Sequence, residues 1–220
     1  MPPTDAADST HSVSPKPPLE IVLASASPRR RQILAAMGVP FEIDVPTRQE
    51  PDPRDFPSVE QFVSHAAFRK AIEVADRRAN AWILAADTVA EVDDRALGKP
   101  SDRVDAERIL RSLIGRRHRT WTGMCLMRSS DRLSLSIAQF SWVTFRTVSE
   151  VELNDYLDSR AWEGKAGAYG IQHENDPFVE SLEGSYSNVM GLPIEGATTL
   201  LKAMELIEAV AWTPSLSKNA

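Results

Sequence analysis

The stretch Leu23-Ala24-Ser25-Ala26-Ser27-Pro28-Arg29-Arg30-Arg31 constrains this chain more than any other, because an apolar run breaks into two serines, a proline and three consecutive arginines. Ile21 to Ala24 fits a buried strand, and Ile33-Leu34-Ala35-Ala36-Met37 has helical spacing that stops at Gly38. The strand-to-helix junction therefore falls at Ser25 to Arg30. Ser27 suits the N-cap, Pro28 the first helical position and Gly38 the left-handed residue beyond the helix. Three positive side chains in the first turn oppose the helix macrodipole, each at a cost of about 0.3–1 kcal/mol. An anion offsets that cost. Free N–H groups, two hydroxyls and a guanidinium cluster at a helix start form a phosphate cradle.

Charge balance sharpens this reading. The 220 residues carry a formal net charge of −6, which argues against a binder of nucleic acid or membrane surfaces that works by bulk electrostatics. Basic groups converging on one site of an acidic protein suit a small polyanion instead. Cys125 is the only cysteine, so neither an intramolecular disulfide nor a cysteine zinc cluster is available, and a reducing, cytoplasmic setting is expected. His11, His65, His118 and His173 lack metal-ligand spacing. Residues 1–18, rich in Pro, Ser and Asp, read as a disordered tail without the apolar centre of a secretory signal. One catalytic domain is expected over 19–212, with a flexible C-terminus over 213–220.

Further along, Phe41 to Val45 alternates like a half-buried strand, and Pro46 to Pro57 holds four prolines in a loop long enough for a lid or site wall. Ser58-Val59-Glu60-Gln61 has the capping-box pattern and opens a helix to about Arg78. Val63, Ala67, Lys70, Ala71 and Val74 share one face of it, so Lys70 points inward and must snorkel or meet a negative partner. Trp82 to Ala86 is the most apolar strand candidate and terminates in Asp87-Thr88 before Val89 resumes the pattern. A carboxylate in such a run is expensive to bury unpaired, so Asp87 should meet a metal, a cation or a reacting water. If the Ile21 and Trp82 strands are parallel neighbours, the Ser25 loop and Asp87 lie together at their carboxyl ends.

Asp93-Asp94 marks a turn, Gly98-Lys99-Pro100 sets a lysine between a permissive and a rigid residue, and Ala106 to Ile114 reads as a helix closed by Gly115. Arg117–Met127 and Arg132–Val148 suggest a long hairpin, with a bulge expected where apolar parity shifts between Ile137 and Phe140. Ser149-Glu150-Val151-Glu152 starts another helix, and Gly164 to Gln172 holds three glycines that let backbone approach a ligand. Phe178 to Leu182 fits a short strand, and a closing helix carries Ala197, Leu200, Leu201, Met204 and Ile207 on one face.

Five motifs in order, the Leu23–Arg30 stretch, Ala86-Asp87-Thr88, Gly98-Lys99-Pro100, Lys165-Ala166-Gly167-Ala168-Tyr169-Gly170-Ile171-Gln172 and Asn188-Val189-Met190-Gly191-Leu192-Pro193, resemble the Maf family of nucleoside triphosphate pyrophosphatases. The resemblance covers about residues 19–210. It implies an α/β fold like the inosine triphosphate pyrophosphatases, an elongated mixed sheet with flanking helices in two lobes around a central cleft. It also implies metal-dependent cleavage between the α and β phosphates, with Mg²⁺ or Mn²⁺ as cofactor. Carried over by motif, Ser25, Arg29 and Arg30 hold phosphates, with Lys70, Lys99 and Lys165 as further cationic contacts. Asp87 is the proton acceptor for the attacking water and a metal contact, and Glu50 a second metal or water ligand. Arg29, Thr88 and Gln172 match positions associated with base selection, and Ala168 to Gln172 resembles the branch acting on dTTP and UTP. A homodimer is the implied assembly. The competing expectation is a nucleotide-binding regulator of septum formation that works without hydrolysis.

Overall fold

The computed structural model describes residues 20–171 and 177–206. The expected tail, the C-terminal segment, Gln172 and Ile207 lie outside the described residues. The short apolar run becomes strand β1 (Ile21–Leu23), and helix α1 (Pro28–Ala36) follows with Ser27 as its N-cap and Gly38 in the left-handed region beyond its end. Phe41 to Val45 yields only two paired residues, β2 (Glu42–Ile43), both exposed. A three-residue β1 offers few pairing positions, so β2 stays a short sheet edge rather than a half-buried strand.

Helix α2 (Val59–Ala75) precedes β3 (Trp82–Val92), a longer strand than the apolar run alone suggested. Asp93 and Asp94 both take positive φ and turn the chain into β4 (Arg95–Leu97). Helix α3 (Arg103–Leu113) leads to the hairpin β5 (Arg117–Arg128) and β6 (Leu133–Phe145). Then come α4 (Glu150–Asp158), whose Ser149 and Glu152 complete a reciprocal capping box, β7 (Val179–Glu183), the short α5 (Tyr186–Met190) and α6 (Ile194–Ala203).

These strands form a seven-stranded mixed sheet in the order β2-β1-β3-β5-β6-β7, with β4 paired to β3. Strands β1 and β3 are parallel, with Leu23 opposite Leu84. The hairpin runs in unbroken register from Arg117↔Thr144 to Arg128↔Leu133, so the expected bulge near Phe140 is absent. The parity shift has another cause: Leu135, Ile137, Val143 and Phe145 face the main core, while Phe140 and Trp142 sit on the opposite face near Trp121 and the Arg117 and Arg119 guanidiniums. Two faces with apolar residues imitate a slip. The register does shift at Thr144/Phe145, against β7.

Helix α2 covers one face of the sheet through Ala67, Ala71 and Val74, and the other helices pack into the larger core on the opposite face. Two features of this arrangement build a site. First, β5 pairs along one edge of β3 from Ile83 to Glu91, so β1 and β4 share the other edge. β1 ends opposite Leu84 and β4, which is antiparallel, pairs only from Val92 back to Ala90, which leaves that edge open beside Asp87. Second, α2 lies directly on Gly123, whose missing Cβ would fall 2.4 Å from the Val63 carbonyl. Gly123 is the cross-strand partner of Asp87, so the close approach brings α2 over the same face as the carboxylate. No helix among the described residues is long and apolar enough to cross a membrane.

Gly123→Ala should therefore lose at least ~2 kcal/mol in urea unfolding, because backbone rather than a mobile side chain must give way. Gly98→Ala, with nothing within 4 Å of its added Cβ, is the control; equal losses in the two would refute the docking argument. A second expectation concerns His118, buried against Phe145 with Nε2 2.9 Å from the Tyr169 hydroxyl. Burial pushes its pKa down to about 4, whereas the unfolded chain takes up that proton near ~6.5. Stability should thus fall as pH drops from ~6.5 to ~4, by roughly 3 kcal/mol in all from this group, and His118→Gln should flatten the slope in that window.

Candidate active site

The open edge of β3 lets a buried carboxylate line a cavity. Asp87 lies on the α2 face, and its side chain forms an ion pair with the Lys70 ammonium. The inward lysine thus finds a negative partner instead of snorkelling. Lys70 also meets Glu50 Oε1 at 2.8 Å, so one half-buried ammonium joins a strand carboxylate to a loop carboxylate. Burial opposes the charge on Glu50, but Lys70 outweighs it, with help from Lys99 and Arg30, and holds its pKa below the ordinary value. The 46–57 loop thereby becomes a wall of the site rather than a free lid.

Across the gap stands the first turn of α1. Arg30 sends Nε to the Gly191 carbonyl at 2.8 Å, Nη2 to Thr88 Oγ1 at 3.0 Å and Nη1 to Ser25 Oγ at 3.4 Å. Thr88 Oγ1 lies 2.9 Å from Thr122 Oγ1, whose hydroxyl donates to the Asn188 carbonyl. Gly191 has φ +105° and a Cβ there would crowd Arg30 and Thr88, so this close approach requires glycine. One guanidinium thus ties the Ser25 loop, β3 and the Asn188–Pro193 motif together. Arg29 differs: half-buried, it makes no hydrogen bond or ion pair to the described residues. Burial lowers the pKa of both guanidiniums, yet both stay charged at neutral pH.

Ser25, Arg29, Arg30, Glu50, Lys70, Asp87, Thr88, Lys99 and Lys165 all line one cavity of about 840 Å³. Lys99 is exposed within it and, like Arg29, has no hydrogen-bonding or ion-pairing partner among the described residues. Lys165 lies against Gly170, where a Cβ would stand 3.2 Å from its Nζ, and Gly167 N–H donates to the Gly98 carbonyl at 3.0 Å. The glycine-rich loop and the Gly98-Lys99-Pro100 turn are therefore one wall. Gln172 lies outside the described residues. Sequence reasoning missed Gly123, Thr122 and Glu73; Gly123 alone left a signal, as a lone glycine inside a strand pattern.

No group of three or more His, Cys, Asp or Glu gathers to hold a metal among the described residues. A full protein cage is not required for Mg²⁺ or Mn²⁺, which take oxygen ligands and complete their shells with water and phosphate. Asp87 and Glu50 already face a common cation, the Lys70 ammonium, so the donor set fits such an ion. The arrangement can bind a polyanion along Arg29, Lys99 and Lys165 and present a carboxylate to a water at one end of it.

A family model described as Maf-like protein matches residues 20–204. A dTTP/UTP pyrophosphatase of Thermoanaerobacter sp. (strain X514) is 37% identical over 185 residues, covering 84% of this chain and 96% of the relative. That of Dictyoglomus thermophilum is 39% identical over 186 residues, with shares of 84% and 96%, and that of Zymomonas mobilis 38% over 199, with shares of 90% and 95%. Among solved structures, a nucleoside-triphosphatase / dITP/XTP pyrophosphatase from Mycobacterium abscessus aligns with TM-score 0.44 and 14% identity over 85% of this chain and 97% of that one. A HAM1 protein from Coxiella burnetii aligns with TM-score 0.44 and 16% identity over 58% and 73%. Those two likenesses are partial, and the sequence relatives carry the weight.

The two neighbouring arginines should separate experimentally. Arg30→Ala is expected to lower the urea-unfolding free energy by ~2–3 kcal/mol, since it removes the donor to the Gly191 carbonyl and one partner from each of two hydroxyls. Arg29→Ala should stay within ~0.5 kcal/mol of wild type without ligand yet lose most of the thermal stabilisation that inorganic pyrophosphate confers. The reverse pattern would exchange their roles.

Proposed function

The chain belongs to the Maf-like family, and from that premise and the geometry of its cleft we propose that it hydrolyses dTTP and UTP to the nucleoside monophosphate and pyrophosphate. The observation that carries this reading is the Lys70 ammonium held between Asp87 and Glu50 at the edge of a cation-lined cavity. Three relatives that share most of their length with this chain bear the name dTTP/UTP pyrophosphatase.

In this reading Arg29, Lys99 and Lys165 hold the triphosphate, and Ser25 and Arg30 shape the cradle and lend it their remaining donors. A water beside Asp87 attacks the α phosphorus. The new P–O bond forms as the bond from phosphorus to the bridging oxygen breaks, and pyrophosphate leaves with that electron pair; the water proton passes to Asp87. Lys70 orients both carboxylates, and the cations offset the charge growing on the leaving group. Asp87 and Glu50 would hold a Mg²⁺ or Mn²⁺ ion, which supplies charge neutralisation and makes bound water more acidic. Arg29, Thr88 and Gln172 select the base. A reducing, cytoplasmic setting and a homodimer belong to the same proposal, the former supported by the buried free thiol of Cys125.

Incubation with dTTP, UTP, CTP, ATP and 7-methyl-GTP plus Mg²⁺ or Mn²⁺, with pyrophosphate and orthophosphate measured separately, tests the function. Pyrophosphate from dTTP and UTP above the others is expected, whereas orthophosphate alone, or turnover confined to 7-methyl-GTP, would refute it. Asp87→Asn should keep the fold and lose at least ~10²-fold in turnover; near-normal turnover would remove Asp87 from the proton-accepting role.

A further inference from the structure

The strongest feature that the proposed chemistry leaves unused is a second carboxylate on α2. We propose that Glu73 is a positioning residue: it fixes the 47–50 segment so that Glu50 stands beside Asp87. This rests on the pyrophosphatase reading of the cleft.

Glu73 is only 5% exposed, although its neighbours on the same helix face, Lys70 and Arg77, are charged. A carboxylate is tolerated there only if it is fully hydrogen-bonded. Its partners come chiefly from one place. Oε1 accepts the Thr47 N–H at 2.6 Å and the Thr47 hydroxyl at 3.0 Å, and Oε2 accepts the Arg48 N–H at 3.1 Å. Arg77, one turn on, lies 3.7 Å from Oε1 and donates to the Val45 carbonyl at 3.1 Å. Burial opposes the charge on Glu73, but these backbone and hydroxyl donors outweigh it and keep its pKa below the ordinary value.

Among the described residues, the segment's other side-chain ties are an exposed Arg48–Asp76 pair at 3.4 Å and the Glu50–Lys70 pair. Residues 47–50 are exposed, so hydrophobic burial does not fix them, and they belong to no strand or helix. Glu73 follows Lys70 by three residues, which places the two on neighbouring positions of one helix face. The helix thus grips the loop twice, by its backbone at Thr47 and Arg48 and by its side chain at Glu50. Without the first grip, Glu50 depends on one half-exposed ion pair, which is weak.

The test compares wild type with Glu73→Gln, Thr47→Val, Glu50→Gln and the Glu73→Gln/Glu50→Gln double variant, with folding checked by circular dichroism. Two readouts are used: steady-state dTTP hydrolysis, and Mn²⁺ affinity of the nucleotide-free protein by electron paramagnetic resonance. Glu73→Gln should lower kcat by ~10-fold, as expected for a displaced group, while KM for dTTP moves less than ~3-fold because its cationic contacts lie on other elements. Mn²⁺ affinity should weaken by ~10–100-fold, the range for outer-shell supports of a metal site. The double variant should be no slower than Glu50→Gln. Unchanged kcat and Mn²⁺ affinity in folded Glu73→Gln, or a full further loss in the double variant, would overturn the proposal. If Glu73→Gln does not fold, Thr47→Val decides it, with a smaller loss in both readouts expected and no change contradicting. Should wild type fail to hydrolyse dTTP, the pyrophosphatase reading fails, and the Mn²⁺ comparison still decides whether Glu73 positions Glu50.

Discussion

A lysine ammonium shared by two carboxylates is the contact on which the cleft depends. Lys70 sits on the buried side of α2, where an unpaired charge would cost several kcal/mol, and Asp87 sits inside the most apolar strand, where the same holds. Each makes the other tolerable. Their meeting needs a helix that can lie against the sheet without a side chain between them, which Gly123 allows, and a strand whose edge is open at Asp87, which the short β1 and the end of β4 opposite Ala90 provide. The site is thus a gap in the sheet with a charged pair beside it.

The positive charge of the cleft is partitioned rather than pooled. An acidic protein gathers arginines against the dipole of α1, but the two that enter the cavity do different work. Arg30 is committed to Ser25, Thr88 and Gly191 and holds three distant motifs in one frame. Arg29 keeps its donors for a ligand. The same division separates Lys70, spent on carboxylates, from Lys99, which faces the cavity uncommitted. A polyanion therefore meets preorganised cations whose supports are already satisfied, and little reorganisation is needed on binding.

Much of this was legible from the sequence because local rules governed it. Ser27, Pro28 and Gly38 fixed both ends of α1, Ser149 and Glu152 fixed the start of α4, and the parallel pairing of β1 with β3 followed from two apolar runs and put Ser25 near Asp87. What local rules could not supply was contact between distant elements. Phe140 and Trp142 suggested a bulge because one strand with apolar residues on both faces has no single parity. Phe41 to Val45 alternated properly yet found too short a partner. Asp87 ended an apolar run on paper but lies mid-strand, since Val89 to Val92 continue the pairing with β5. Glu73 was invisible because its hydrogen bonds go to the backbone of a loop without pattern. Gln172 lies outside the described residues.

Hydrolysis of dTTP in ¹⁸O-labelled water tests the central claim most directly, because it reports which phosphorus the water beside Asp87 attacks. Phosphorus NMR of the products should show the label in thymidine monophosphate and none in pyrophosphate. Label in pyrophosphate would place the attack on the β phosphorus, and the geometry assigned to Asp87, Glu50 and Lys70 would then be wrong.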